Sequence, residues 1–219
     1  MKGSVLVTGG AKRIGKAICD ALRVRGWNVL VHSRDASNPL FSDFSDRQAP
    51  ERLFATTCSL APDLCAVVNN ASEFSVRGDL PEEASARLMQ VNDEAPVRLT
   101  ELLAEHLARQ GLEGSVVNLL DVRVFGGRSC MTPYERSKRA LLESTIRQAR
   151  VLAPALRVNA VAPGPVLAPA DSANSEKGGG ILLSRRPNPE DVANAVAFLL
   201  ESPAVTGQIL AVDAGQSLL

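Results

Sequence analysis

The stretch that decides the fold is Ser4-Val5-Leu6-Val7-Thr8-Gly9-Gly10-Ala11-Lys12-Arg13-Ile14-Gly15. Its opening apolar run predicts a buried strand, its glycines predict a tight turn, and the apolar spacing over residues 14–25 predicts a helix. The free N–H groups and the dipole at the start of a helix attract an anion. The stretch therefore predicts a strand, turn and helix that bind the pyrophosphate of a dinucleotide, and a plain tight turn is the alternative.

The alternation of strand and helix continues along the chain. Further strands are predicted at Asn28–His32, Leu53–Cys58, Ala66–Asn69, Ser115–Leu119, Arg157–Val161 and Gln208–Val212. Further helices are predicted at Glu82–His106, with a kink near Asn92 caused by Pro96, at Tyr134–Leu152, and at Glu190–Leu200 behind the cap Asn188 and Pro189. This order predicts an α/β fold: one domain over residues 1–219, with a Rossmann-type, doubly wound parallel sheet of about seven strands.

One connection departs from that plan. Only the residues around 58–65 separate the third and fourth predicted strands, and a crossover between parallel strands needs about a dozen residues. We therefore expect a shortened connection there and a partly bare sheet face. The aperiodic segment Ala168–Gly180 is expected to be either a substrate lid or a plain loop.

Composition limits the classes of function. The chain has 219 residues, 45% of them apolar, with 24 Lys and Arg against 24 Asp and Glu. No net field attracts nucleic acid or an anionic membrane, so neither is expected as a partner. The first apolar run is too short for a signal segment or a membrane span, and a cytoplasmic location is expected. The cysteines, Cys19, Cys58, Cys65 and Cys130, are scattered, which predicts reduced thiols and neither a disulfide framework nor a metal site.

The end of the second predicted strand bears on the choice of cofactor. An NAD-binding chain usually places an acid there, whereas this chain has His32-Ser33-Arg34. Arg34 and Arg13 each favour a 2′-phosphate over a neutral ribose, so NADPH is the expected cofactor. Asp35 is the counter-evidence, because a shift of one or two residues in the strand end would make it an acid of the NAD type.

Tyr134 and Lys138 are the candidate catalytic pair. Their spacing of four places both side chains on one face of the predicted helix. A neighbouring ammonium stabilises a phenolate, which lowers the pKa of a tyrosine toward working pH and lets it transfer a proton. A packed aromatic beside a solvated charge is the alternative for such a pair taken alone.

Several motifs together resemble the short-chain dehydrogenases/reductases. They are the glycine turn, Asn69-Asn70-Ala71, Asn92, Tyr134-x-x-x-Lys138 and Pro163-Gly164. The resemblance covers nearly the whole chain and implies a homotetramer, or at least a homodimer. It implies that Tyr134 is the general acid, that Lys138 lowers its pKa and binds the nicotinamide ribose, and that Asn92 holds a proton-relay water. The residues expected at the cofactor are Thr8, Gly9, Arg13, Ile14, Gly15, Ser33, Arg34, Asn70, Ala71, Lys138, Pro163 and Gly164.

One branch of that family, the pteridine reductases, is matched more closely. The family's usual serine, thirteen positions before the tyrosine, is Asp121 here, as in that branch, and the glycine turn carries Arg13. The segment Asn70-Ala71-Ser72-Glu73-Phe74 also matches the branch. The resemblance implies that Phe74 stacks on a flat pterin, that Ser72 and Arg13 help to place it, and that Asp121 and Tyr134 manage protons. Without the resemblance, the alternatives are that Asp121 stabilises the turn after a strand and that Phe74 is a hydrophobic plug behind the fourth strand.

The leading functional hypothesis is therefore an NADPH-dependent reductase of a dihydropterin or a dihydrofolate-like compound, with a role in folate metabolism. A short-chain carbonyl reductase for a ketone or 3-oxoacyl substrate is the alternative within enzymes. A dinucleotide-binding regulator without turnover is the alternative outside them. The family's adenine-contacting acid, at the end of the third strand, would be replaced by Ser59 in this alignment.

Overall fold

The structure, a computed structural model, describes residues 2–75, 78–126, 131–166 and 180–219. The described residues form a single parallel sheet of six strands in the order β2-β1-β3-β4-β5-β6. The strands are β1 Ser4–Val7, β2 Asn28–Val31, β3 Leu64–Asn69, β4 Gly114–Leu119, β5 Leu156–Pro163 and β6 Ile209–Val212. The parallel Rossmann-like architecture expected from the sequence is confirmed, with six strands in place of about seven.

The helices follow the strands in alternation. They are α1 Arg13–Val24, α2 Ala49–Leu60, α3 Glu82–Met89, α4 Ala95–Gln110, α5 Pro133–Val151 and α6 Pro189–Glu201. A π-helical turn, Gln90–Glu94, joins α3 to α4, so the long middle helix changes its geometry at Asn92 as Pro96 predicts. Helix α6 starts with a capping box between Asn188 and Asp191.

Alternate strand residues face two separate hydrophobic layers. Val5 and Val7 point into a cluster that α1 and α6 cover, whereas Leu6 points into a cluster that α2 and α4 cover on the opposite face. This period of two, buried on both faces, is what a doubly wound parallel sheet requires. Because both layers are filled, the carboxyl ends of the strands are held at one rigid edge.

The predicted third strand, Leu53–Cys58, is wrong: these residues lie inside α2. The β-branched and aromatic residues suggested a strand, but Leu53, Phe54 and Thr57 are buried at helical spacing. The Thr57 hydroxyl donates to the carbonyl of Leu53 at 2.7 Å, which satisfies a polar side chain within the helix. The shortened connection and the bare face are therefore also wrong, since α2 is the crossover from β2 to β3 and covers that face. Ser59 lies in α2 and is not a strand-end residue.

In place of a seventh strand, one isolated bridge lies at the end of β2. Ser33 and Phe41 form one isolated parallel bridge, and the Ser42 N–H donates to the Ser33 carbonyl at 3.2 Å. Asp43 stands two residues after Phe41. This one bridge takes the place of the seventh strand that the sequence predicted.

The expected lid over Ala168–Gly180 falls almost wholly on residues 167–179, which lie outside the described residues. Only Gly180 of this segment is described, so the lid stays a prediction. Among the helices that the structure describes, none is long and apolar enough to cross a bilayer.

Candidate active site

The candidate site lies along the carboxyl edge of the sheet. The glycine turn follows β1, Asn70 follows β3, Asp121 follows β4, and Pro163 ends β5. In open parallel sheets this edge is where ligands bind. The sequence-predicted residues are therefore brought to one edge by the strand order alone.

The glycine turn is shaped so closely that side chains are excluded. Gly9 has a φ of +62°, and a Cβ added at Gly15 would lie 2.2 Å from the Gly9 carbonyl oxygen and 2.6 Å from Nδ2 of Asn70. Arg13 takes a φ of +52°, a conformation that costs a non-glycine residue about 1 kcal/mol or more. The bare backbone at the start of α1 has the shape of a phosphate cradle, and contact of Arg13 with a phosphate stays a prediction.

Thr8 and Asn70 tie this turn to β3. The Thr8 hydroxyl accepts hydrogen bonds from the N–H groups of Asn70, at 2.9 Å, and Ala71, at 3.0 Å. The Asn70 carboxamide donates to the carbonyls of Thr8 and Gly9 at 2.9 and 3.0 Å. These residues therefore act as the frame of the cradle, which fixes the backbone that meets the ligand.

His32 is a part of this frame that sequence reasoning did not select. Its ring is almost fully buried and stacks on Phe44 with 4.7 Å between the ring centroids. The Gly9 N–H donates to Nδ1 at 3.1 Å, so Nε2 carries the proton and donates to the Ser42 carbonyl at 3.0 Å. Burial lowers the pKa of His32, which keeps the ring neutral for this bridge.

The end of β2 provides the residues expected at a 2′-phosphate. Arg34 is exposed there and Ser33 is buried at the bridge to Phe41. Asp35, the acid that counted against NADPH, is exposed, and its Oδ1 accepts from both the N–H and the hydroxyl of Ser37 at 3.0 and 2.8 Å. Those bonds lower the pKa of Asp35, so it remains ionised. Arg34 and Asp35 are therefore both charged groups at the strand end.

Tyr134 and Asp121 form the polar centre of the site. The Tyr134 hydroxyl donates to Oδ2 of Asp121 at 3.0 Å, and the tyrosine is only 6% exposed. The other oxygen, Oδ1, accepts from the backbone N–H of Arg123 at 2.9 Å. Burial, followed by the charge of Asp121, raises the pKa of Tyr134 above its ordinary value. The protonated phenol is therefore the stable form in the unliganded site.

Lys138 lies one turn further along α5 and is fully buried. Its Nζ donates to the Leu119 carbonyl at 2.8 Å. Burial lowers the pKa of Lys138 to about 8, while the charge of Asp121 opposes that shift. Burial and the charge of Asp121 raise the pKa of Tyr134, so the expected lowering of that pKa by Lys138 stays a prediction.

Asn92 joins three parts of the site from the π-helical turn. Its Oδ1 accepts from the Ser72 hydroxyl at 3.0 Å and from the Glu73 N–H at 2.8 Å. Its Nδ2 donates to the Glu73 carbonyl and to the Ser137 hydroxyl, both at 2.9 Å. The Asn92 side chain therefore fixes the segment that leads to Phe74 against α5. Its predicted role with a relay water stays a prediction.

Phe74 presents a largely exposed aromatic ring beside Tyr134. The two rings meet edge to face with 4.8 Å between centroids, and Phe74 is 56% exposed. The alternative of a buried hydrophobic plug is therefore wrong. Within the described residues no contact joins Arg13 to Ser72, Phe74 or Tyr134, so the predicted role of Arg13 toward substrate is untested.

The remaining predicted cofactor residues line the same edge. Ile14 packs against the layer under α1 and α6, and Pro163 pairs with Val212 at the end of β5. A Cβ added to Gly164 would lie 2.7 Å from Cα of Asp213, so glycine is required there by close packing. These contacts explain the residue types, while their contact with a cofactor stays a prediction.

The comparisons with known proteins agree with this geometry. A family model described as enoyl-(acyl carrier protein) reductase matches residues 9–217. The chain is 29% identical over 231 residues to dihydromonapterin reductase of Enterobacter sp. (strain 638), covering 98% of this chain and 96% of that protein. It is 30% identical over 277 residues to pteridine reductase 1 of Leishmania tarentolae, covering 97% and 96%.

A solved structure is also similar over nearly its whole length. It is FolM alternative dihydrofolate reductase 1 from Brucella canis, complexed with NADP. The TM-score is 0.89 at 30% sequence identity, covering 99% of this chain and 94% of that one. The fold is therefore shared with a known NADP-binding reductase.

Proposed function

This chain belongs to the short-chain dehydrogenase/reductase family of oxidoreductases, and we propose that it reduces a dihydropterin or dihydrofolate-like substrate with NADPH. The observation that carries the proposal is the hydrogen bond from Tyr134 to Asp121 beneath the exposed face of Phe74. A serine in place of Asp121 could orient a carbonyl oxygen, whereas a carboxylate also accepts hydrogen bonds from an amino-heterocycle. The site thus suits a flat substrate that carries N–H donors.

The glycine cradle supports NADPH as the cofactor. The turn keeps the shape that suits a pyrophosphate because Gly9 and Gly15 lack side chains that would meet its own atoms. Arg34 and Arg13 supply cations suited to a 2′-phosphate, and Asp35 is engaged with Ser37. The similar Brucella protein was solved with NADP. When bound, this cofactor supplies the hydride.

The chain's own residues supply the proton. The carbon of the substrate's ring C=N bond receives the hydride, and the adjacent nitrogen receives a proton from Tyr134. Burial of the phenol, followed by the charge of Asp121, raises the pKa of Tyr134 and keeps that proton on its hydroxyl. A substrate amino group that donates a hydrogen bond to Asp121 partly neutralises the carboxylate. The pKa of Tyr134 then falls, and the phenol becomes a better proton donor. The ammonium of Lys138, buried one turn away, then stabilises the phenolate.

Phe74 and Asn92 position the substrate. The exposed face of Phe74 stacks on a planar ring, and stacking of this kind adds about 0.5–1.5 kcal/mol beyond the buried area. Asn92 and Ser72 hold the segment that carries Phe74. Orientation of the ring against the proton donor is what this frame contributes to the rate.

A short-chain carbonyl reductase is the second candidate. The chain's similarity to a 3-oxoacyl-[acyl-carrier-protein] reductase of Thermotoga maritima, 28% identical over 242 residues, favours this candidate. In that case Asp121 replaces serine without changing the reaction. A regulator without turnover is the third candidate, and the intact group of Tyr134, Lys138 and Asn92 argues against it.

A substrate panel separates these candidates. NADPH oxidation is followed with dihydrobiopterin, dihydromonapterin and dihydrofolate, and in parallel with ketones and a 3-oxoacyl thioester. We expect turnover on a dihydropterin that falls in Asp121→Ser. Turnover only on carbonyl substrates, with Asp121→Ser as active as the native protein, would support the second candidate. Cofactor binding with no turnover on any compound would support the third.

We also propose that the protein works as a homo-oligomer in the cytoplasm. Leu182, Leu183 and Leu210 are exposed beside the open edge strand β6, and an apolar surface of this kind suits a second copy of the chain. Cys19, Cys58 and Cys65 are free thiols, as suits a reducing compartment. Light scattering of the purified protein tests the first point: a monomer at assay concentration would contradict it.

A further inference from the structure

Arg123 carries a charge at the entrance to the site that the reduction itself does not use. It is the second residue of a 3-10 helix, Val122–Phe125, that follows Asp121. The Asp121 carboxylate caps this helix by accepting from the Arg123 N–H, which fixes the start of the arginine side chain beside the proton donor.

The guanidinium folds back over the aromatic pair. Its carbon lies 5.4 Å from the centroid of Phe74 and 6.0 Å from the centroid of Tyr134. Both distances are within the range of cation–π attraction. The two rings therefore hold the cation directly beside Tyr134, the proposed proton donor.

Most of the hydrogen-bonding capacity of this guanidinium is unused. Its nearest acid is Asp121, but Nε lies 3.9 Å from Oδ1, beyond hydrogen-bonding distance. Among the residues that the structure describes, no acceptor bonds its terminal nitrogens. The side chain is 45% exposed, so a ligand from solvent can reach it. A planar guanidinium in this state binds a carboxylate through two parallel hydrogen bonds.

From this geometry we infer that Arg123 selects a substrate whose side chain carries a carboxylate. The inference rests on the proposed function, because it assumes that the flat ring of the substrate stacks on Phe74. Arg123 lies against Phe74 and reaches solvent, so it can meet a charged side chain that extends from such a ring. Dihydrofolate, with its glutamate carboxylates, then fits better than dihydropterins with uncharged hydroxylated side chains.

The test compares two substrates in one set of variants. Arg123→Met keeps the stem and removes the charge, Arg123→Lys keeps the charge, and Arg150→Met removes an exposed charge at the far end of α5 as a control. The readout is the ratio of kcat/KM for dihydrofolate to that for dihydrobiopterin, which cancels effects common to both. A hydrogen bond to a charged group contributes about 1.5–3 kcal/mol, so the ratio should fall about tenfold or more in Arg123→Met.

Further outcomes decide the inference. Arg123→Lys should recover part of the ratio, and Arg150→Met should keep the native value. The native KM for dihydrofolate should rise with salt while that for dihydrobiopterin stays constant, a measurement that needs no variant. An unchanged ratio in Arg123→Met, or a KM for dihydrofolate that does not respond to salt, would overturn the inference.

Failure of the proposed function gives a different result. If neither dihydropterin is reduced, calorimetric binding of folate to the NADP-loaded native protein and to Arg123→Met replaces the kinetic assay. Folate binding that weakens about tenfold in Arg123→Met still supports a carboxylate site at Arg123. Equal folate binding in both proteins, or no binding in the native protein, overturns it.

Discussion

Replacing Gly15 with alanine should damage the cofactor cradle directly. The added methyl would lie 2.2 Å from the Gly9 carbonyl oxygen, 2.6 Å from Nδ2 of Asn70 and 3.0 Å from Cα of Gly10. Two of these atoms belong to the backbone, and the third is bonded to the carbonyls of Thr8 and Gly9. No flexible chain end can move away, so the turn itself must shift.

The size of the effect follows from that shift. Overpacking of a filled site costs typically about 1–3 kcal/mol. Because the turn that shifts is the proposed phosphate cradle, this cost should appear in the binding of NADPH. The Kd for NADPH should rise by about tenfold to a hundredfold, since 1.4 kcal/mol corresponds to a factor of about ten. Titration of NADPH fluorescence gives this Kd. The thermal stabilisation that NADPH confers at a fixed concentration should also decrease.

Gly78→Ala is the matched control for Gly15→Ala. A Cβ at Gly78 meets nothing within 4 Å, so this variant should bind NADPH with the native Kd. If Gly15→Ala folds and also binds NADPH with the native Kd, the cradle does not bind the cofactor and the reasoning is refuted.

Three further predictions concern the frame and the proton chemistry. The pKa of Lys138 is about 8, so its protonated fraction falls from about nine-tenths at pH 7 to about one-tenth at pH 9, and kcat should fall over that interval in a pH profile. His32→Leu leaves the Gly9 N–H and the Ser42 carbonyl without their partner, and urea denaturation should show a loss of about 1–3 kcal/mol in the free energy of unfolding. Asn92→Ala releases the segment that carries Phe74, so the KM for dihydropterin should rise at least about fivefold while the KM for NADPH changes little; equal changes in both would contradict this role.

Most of the fold was predictable because the four central strands are buried on both faces. The runs around Val5, Val67, Val116 and Val158 are continuous and apolar, and helical periodicity separates them. Helix α2 was not predictable in the same way. Its threonines satisfy their hydroxyls on carbonyls one turn earlier, so residues typical of strands are accommodated in a helix. The packing of Leu53 and Phe54 against the core favours the helix over the strand, and this packing cannot be read from the sequence pattern.

The candidate site was likewise predictable only in part. The spacing of Tyr134 and Lys138, the glycine turn and the departure at Asp121 are local patterns, and each was visible in the sequence. Arg123 was not selected, because the backbone of a short 3-10 helix, rather than a motif, brings its guanidinium over Phe74. The direction of the pKa shift of Tyr134 also depends on burial and on the proximity of Asp121, which only the three-dimensional structure provides.

The central claim is that Tyr134 gives the proton when a dihydropterin is reduced. The most direct measurement is the kcat for NADPH oxidation with dihydrobiopterin in the native protein and in Tyr134→Phe, with the tetrahydropterin product identified by chromatography and the Kd for NADPH measured alongside. Loss of a positioned proton donor costs about a hundredfold or more, so kcat should fall by that factor while the Kd for NADPH stays at the native value. A Tyr134→Phe protein that forms tetrahydropterin at close to the native rate would contradict the account.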